Sequence, residues 1–389
     1  MNFKYYIPTK ILFGRGQLAN LHKEKLPGTR ALIVTTGGRS VVDNGYLART
    51  EEELKAAGCT FVLFNKITAN PDRSEVMDGA ALAKAENCDF IVGLGGGSPI
   101  DAAKAIAVMA TNPGDYWDYM VRGTGGGRPV SVTPLPVVAI TTTAGTGTEA
   151  DPWTVISNAA TGEKFGFGID GTFPVLAVVD PELMLTVPRD YTVFQGFDAL
   201  FHSLEGYLAN IATPISDIFA LKAVSLIAEN LPAAVFDGGD IAARENMALA
   251  NTLSGMVEST SGCISEHALE HILSGVYKNL PHGAGLIMLS VAYFSKIAEK
   301  HTSDDRLVEL AKALGNKNAK TPEDFIAALQ KLQQACGADK LKMSDYGIEK
   351  ERLREFAAAA KTQNALSFRL DPCDLSIADC AGIYERSYR

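Results

Sequence analysis

Along the first half of the chain, short runs dense in Val, Ile, Leu and Phe alternate with longer stretches whose apolar residues recur every third or fourth position. The runs are "ALIVTT" (31–36), "TFVLFN" (60–65), "DFIVGL" (89–94), "PVVAIT" (136–141) and "VLAVVD" (175–180). Apolar on consecutive positions, they suit strands of a parallel sheet covered on both faces. Between them "GYLARTEEELKAAG", "SEVMDGAALAKAEN" and "SPIDAAKAIAVMA" carry Lys and Glu opposite an apolar stripe and predict helices. The alternation predicts a doubly wound α/β domain over residues 1–187.

After "DPELMLTVP", near residue 188, such runs stop. "DIFALKAVSLIAENL", "IAARENMALANTLSGM", "GLIMLSVAYFSKIAEK" and "TPEDFIAALQKLQQAC" have helical spacing, the last opening with Thr321 as N-cap and Pro322 in the first turn. Residues 188–389 therefore predict an all-α domain. No repeat or low-complexity linker separates the halves, so a packed hinge is expected.

Composition narrows the function classes. The net charge of −9 comes without a basic stripe, which argues against nucleic acid as a partner. No uninterrupted apolar run approaches the roughly 18 residues of a membrane span, and "MNFKYYIPTKILFG" lacks the layout of a secretory signal. No membrane partner and a cytoplasmic location are the expectations. The six cysteines form no C-x-x-C pair and are read as reduced thiols.

In "FIVGLGGGSPIDAAKAIAV", Gly95, Gly96, Gly97 and Ser98 lie between a strand and a helix. Glycines there admit a diphosphate close to the backbone, and the helix N-terminus supplies free amides and a positive dipole end. The first strand ends in "TTGGRS" (35–40), which lacks the Asp or Glu that would hold a ribose 2′-hydroxyl, whereas Arg39 and Ser40 suit a 2′-phosphate. "TTTAGTGTE" (141–149) adds hydroxyls and amides after the fourth strand.

The second half holds the histidines. Asp198 and His202 in "GFDALFHSLEGYL" are four residues apart, as are His267 and His271 in "HALEHILSGVYKNLPHG". That spacing puts both members of a pair on one helix face, about 5–6 Å apart at Cβ. Pro281 interrupts the helical pattern, so His282 can begin a new segment and fold back. One Asp with histidines from these clusters gives a nitrogen and oxygen donor set suited to Fe(II), Zn or Mn. A zinc protease would need its glutamate directly after the first histidine, but "HALEH" places Glu270 beyond the two intervening residues.

With "GGGSPIDAAKAIA", "ITTTAGTGTE", "DPELM", "GFDALFHSLEGY" and "HALEHILSGVYKNLPHGAGL" in this order, the chain resembles the iron-containing (group III) alcohol dehydrogenases along nearly its whole length. The resemblance implies an N-terminal dinucleotide-binding domain and a helical domain, with the metal in the cleft. It implies Asp198, His202, His267 and His282 as ligands, with His271 beside the metal near the nicotinamide. It also implies that Asn70, Gly95, Gly96, Gly97, Ser98, Thr142, Thr143, Thr146 and Lys164 line the cofactor site, with Asp101 and Lys104 in the same loop and helix signature. Thr36, Gly38, Arg39 and Ser40 form the turn that resembles NADPH-preferring, aldehyde-reducing members, so NADP(H) is favoured over NAD(H). The segment from His271 to His282 is one residue longer than is usual in the family.

The expected activity is hydride transfer between NAD(P)(H) and a small primary alcohol or aldehyde, the ion acidifying the hydroxyl or polarising the carbonyl. His271 is the candidate proton relay. A glycerol or polyol dehydrogenase and a dehydroquinate synthase-like lyase of the same architecture are the competing readings; the first uses a smaller ligand set, the second a glutamate as first ligand. Pocket walls are expected from Trp153, "EKFGFGID" and the helix carrying Phe201. The resemblance further implies a homo-oligomer, a dimer or larger.

Overall fold

A computed structural model describes residues 2–389 of the protein. They form two compact units, Tyr6–Thr186 and Val187–Arg389, the residues up to Tyr5 grouping with the second.

The first unit is built on a six-stranded sheet of β1 (Lys10–Phe13), β2 (Arg30–Thr36), β3 (Thr60–Ile67), β4 (Phe90–Gly95), β5 (Val137–Thr141) and β8 (Leu176–Val179), in the order β1-β8-β5-β4-β2-β3. All of its pairings are parallel. Successive residues of β2 serve opposite faces: Ala31 and Ile33 pack with Leu47 and Leu54 of α2 (Tyr46–Ala56), while Leu32 and Val34 pack with Val76 of α3 (Arg73–Ala85) and Ile106 of α4 (Gly97–Thr111). Two apolar coats explain why the strand runs show no polar alternation. β2 and β4 are neighbours although β3 lies between them in sequence, and the helices that follow them cover opposite faces. Their carboxyl ends therefore flank a topological switch point, the place where open α/β sheets bind ligands.

Three strands escape the apolar-run pattern. β1 is a four-residue edge strand, only partly buried. β6 (Thr154–Asn158) and β7 (Glu163–Phe167) form a separate antiparallel hairpin with Gly162 at φ 69° in its turn. The hairpin covers part of the core rather than extending the sheet, Ile156, Phe165 and Phe167 packing with α4 residues.

The second unit is helical: α5 (Arg189–Leu208), α6 (Pro214–Phe236), α7 (Ile241–Ser261), α8 (Ser265–Val276), α9 (His282–Glu299), and further helices from α10 (Asp304–Ala313) to the C-terminal Ile377–Ser387. By length and composition alone α6 is apolar enough to cross a membrane. It is interrupted by Asp217, Lys222 and Glu229, and it buries Ala220, Ala223, Val224, Ile227 and Leu231 completely, as a core helix does.

Candidate metal and cofactor sites

Three helices of the second unit converge on one point. Asp198 and His202, i and i+4 on α5, are 4% and 5% exposed. His267 lies in the first turn of α8 and His271 one turn later. α8 ends at Val276, Pro281 caps the next helix at φ −64°, and His282 is its first residue. Gly283 lets α9 approach: a Cβ there would stand 2.1 Å from the Phe194 carbonyl oxygen of α5. Close backbone contact thus carries His282 back to the aspartate.

The resulting geometry suits an ion. The Nε2 atoms of His282, His267 and His202 lie 3.5, 3.6 and 3.8 Å from the same atom, Asp198 Oδ1. Such separations are long for hydrogen bonds, but they are close to the edge of about 3.4 Å between donors that share a tetrahedral ion with bonds near 2.1 Å. Asp198 Oδ1 and His267 Nε2 are buried without hydrogen-bond partners. With Nδ1 turned to Glu205, Nε2 presents its lone pair, and two buried lone-pair atoms facing each other at this distance fit a cation between them.

The surroundings favour positive charge in the cluster. Burial by itself would raise the pKa of Asp198, yet His202, His282 and His267 outweigh it and hold the carboxyl well below the usual range. Burial would lower His267, but Cys263, Glu205 and Asp198 drive it well above the ordinary histidine value, and Asp198 raises His202 against the same opposition. The anionic groups therefore draw positive charge into the cluster.

Two glutamates in this shell lay outside the residues singled out as ligands. Glu205, fully buried, contacts His267 Nδ1 through Oε1, and its Oε2 accepts from the Ile264 amide at 2.8 Å. Glu270, also fully buried, contacts His282 Nδ1. Each carboxylate fixes the ring so that Nε2 faces the site. The signal was present as a repeated H-x-x-E, "HSLE" and "HALE". Glu270 also needs Gly285, where a Cβ would come within 2.7 Å of its Cγ. His271 is half-buried, its ring centroid 5.2 Å from that of His282 and 6.2 Å from that of His267. His22 beside Glu53, and exposed His301 beside Asp304, lie apart from the cluster.

In the first unit, the switch point collects most of the predicted cofactor residues. Gly95 has φ 141°, and α4 begins at Gly97. A Cβ on Gly96 would lie 2.9 Å from Thr143 Oγ1, and one on Gly97 2.5 Å from Thr146 Cγ2, so the glycine loop and the threonine loop are in contact. Thr142 is buried, Ser98, Thr143 and Thr146 are half-buried, and Asn70 holds a left-handed φ of 56°. Thr36 ends β2, followed by exposed Gly38, Arg39 and Ser40. Arg39 forms an i,i+4 pair with Asp43 at 3.0 Å. Lys164 lies on β7 and is nearly buried.

Asp101 turns inward: Oδ1 accepts from Thr148 Oγ1 at 2.6 Å and Oδ2 from the Val155 amide at 2.8 Å. Fully buried Lys104 donates to Thr148 Oγ1, to the Asp151 and Trp153 carbonyls and to Asp151 Oδ1 at 2.7–2.9 Å. The pair pins the threonine loop to α4. Phe165 and Phe167 of the "EKFGFGID" stretch are core residues, as is Phe201, which lies between Phe197 and Phe294.

Known proteins resemble the chain along nearly its whole length. Residues 8–181 match the model of iron-containing alcohol dehydrogenase and residues 192–388 that of the Fe-containing alcohol dehydrogenase family, C-terminal. The chain is 33% identical to 1,3-propanediol dehydrogenase of Klebsiella pneumoniae over 94% of each chain, and 35% identical to NAD-dependent methanol dehydrogenase of Bacillus methanolicus over 92% of each. An archaeal halo-thermophilic alcohol dehydrogenase from a Red Sea brine pool superposes with a TM-score of 0.94 at 33% identity, covering 100% of this chain and 99% of that one. The chain belongs to the iron-containing alcohol dehydrogenase family, and it is an oxidoreductase that acts on a small alcohol with a metal ion and a nicotinamide cofactor.

Proposed function

We propose that Asp198, His202, His267 and His282 hold Fe(II), with Zn or Mn as substitutes, and that the enzyme interconverts a small primary alcohol and its aldehyde, with NADP(H) preferred. The observation that carries the metal assignment is the convergence of three imidazole Nε2 atoms on the single buried oxygen Asp198 Oδ1. When bound, such an ion supplies Lewis acidity, polarising a carbonyl or lowering the pKa of a hydroxyl. Glu205 and Glu270 lock the rings of His267 and His282 in the ligating tautomer, with the proton on Nδ1. Balance requires that a proton leave whenever alcohol plus oxidised cofactor becomes aldehyde plus reduced cofactor. His271, beside His282 and half-open, is the group that passes it outward.

The cofactor rests on Gly95, Gly96, Gly97 and Ser98 at the N-terminus of α4, bordered by Asn70, Thr142, Thr143, Thr146 and Lys164. The turn Thr36, Gly38, Arg39 and Ser40, without an acidic residue in it, supports the 2′-phosphate preference; Arg39 must exchange Asp43 for the phosphate. The protein works as a cytoplasmic homo-oligomer. The test is metal analysis together with aldehyde reduction rates under NADPH and NADH. Turnover that needs the metal, with kcat/KM higher for NADPH, is the expected result. No turnover across short aldehydes and alcohols rejects the activity, and a higher kcat/KM for NADH rejects the cofactor preference.

A further inference from the structure

The helical unit offers the ion a second set of donors. His202, Cys263 and His267 bring one donor atom each to within 4.8 Å of one another, as Asp198, His267 and His282 do. The two triads share His267. Cys263 is the middle residue of the link Gly262–Ile264 between α7 and α8, where Gly262 at φ 73° ends α7. The link is fixed by the carboxylate that orients His267: Glu205 Oε2 accepts from the amide of Ile264, itself fully buried. The rings of His202 and His267 stack with centroids 4.6 Å apart and 18° between planes. His267 Nδ1 is taken by Glu205, while its buried Nε2 has no hydrogen-bond partner. That nitrogen is the donor left to face either triad.

We propose that Cys263 is an auxiliary metal ligand, its sulfur completing a two-nitrogen, one-sulfur set with His202 and His267 that overlaps the Asp198 site. The inference rests on the metal-site reading above. Around a tetrahedral ion with metal–sulfur near 2.3 Å and metal–nitrogen near 2.1 Å, sulfur and nitrogen stand about 3.6 Å apart, which side-chain rotation reaches from the present spacing. Ligation replaces the S–H bond with a sulfur–metal bond, the proton passes to solvent, and no electron is transferred. A sulfur donor favours thiophilic ions such as Zn(II) and Co(II) over Mn(II) and gives the site a selectivity that the nitrogen and oxygen set lacks.

The experiment loads the metal-free full-length protein with one equivalent of Co(II) and records its absorption. Near-ultraviolet thiolate-to-cobalt charge transfer is expected in the wild type and lost in Cys263→Ser and Cys263→Ala, while the visible ligand-field bands persist. Visible bands without charge transfer in the wild type, or charge transfer that survives in both variants, overturn the role of Cys263 and leave the Asp198 site standing. Absence of bound cobalt in the wild type overturns both. A second measurement needs no variant: Co(II) should slow alkylation of Cys263 by iodoacetamide, mapped by mass spectrometry, and an unchanged rate also rejects the proposal.

Discussion

Glu270→Gln tests whether the buried glutamates tune the ion site or only fill space. The carboxylate contacts His282 Nδ1 and accepts from Ser274 Oγ at 3.2 Å, while its Oε1 is buried without a donor. A divalent ion on the far side of the ring would lie about 6 Å from this charge, an attraction of about 5 kcal/mol at an effective dielectric near 20. The amide keeps an oxygen that can accept from His282, so much of the orientation survives. Losing such an outer partner ordinarily costs 10–100-fold in metal affinity, about 1.4–2.7 kcal/mol, and that is the expected loss here. Stability of the metal-free protein should change little, because removing a buried charge offsets the poorer hydrogen bonding of the amide. Competition against a chelator of known affinity gives the first quantity, and thermal melting of the metal-free protein the second. Wild-type metal affinity in the variant would refute the reasoning; a large fall in metal-free stability would show Glu270 to be a packing residue.

Two further outcomes are expected. Gly97→Ala places a methyl 2.5 Å from Thr146 Cγ2 at the mouth of the glycine loop, so KM for the dinucleotide should rise at least tenfold with metal content unchanged; an unaltered KM in steady-state kinetics removes the loop from the cofactor site. Burial, reinforced by Glu205, pushes Asp371 up to about 7 although Ser265 and Tyr293 donate to it. The folded protein then holds a proton that the unfolded chain has released, so this group's contribution to stability falls as pH rises from about 4 to 7 and is flat above. Asp371→Asn should reduce that slope, measured as denaturation midpoints across the range, and an unchanged slope contradicts the assignment.

What the sequence revealed follows from how locally each feature is encoded. Buried parallel strands announce themselves as continuous apolar runs, and the paired i,i+4 spacings of Asp198 with His202 and His267 with His271 are properties of single helices. The edge strand β1 is short and half-covered, and the short hairpin strands β6 and β7, though mostly buried, include the polar Thr154, Asn158, Glu163 and Lys164, so none of the three shows a continuous apolar run. The role of Asp101 is not local: its neighbours in the sequence are those of a phosphate loop, but its partners, Thr148 and Val155, lie about fifty residues away. The outer shell lies between these cases. Each H-x-x-E is local, yet Glu205 of "HSLE" serves His267, and the ring held by Glu270 of "HALE" is His282. The pairing crosses between helices, so the motif names the glutamates without naming their histidines. It also ties the α7–α8 link to the site, because Glu205 holds the Ile264 amide as well as the ligand ring. A displacement of that link would move His267 and Cys263 together, which makes this connection the one through which packing of the helical unit sets the donor geometry.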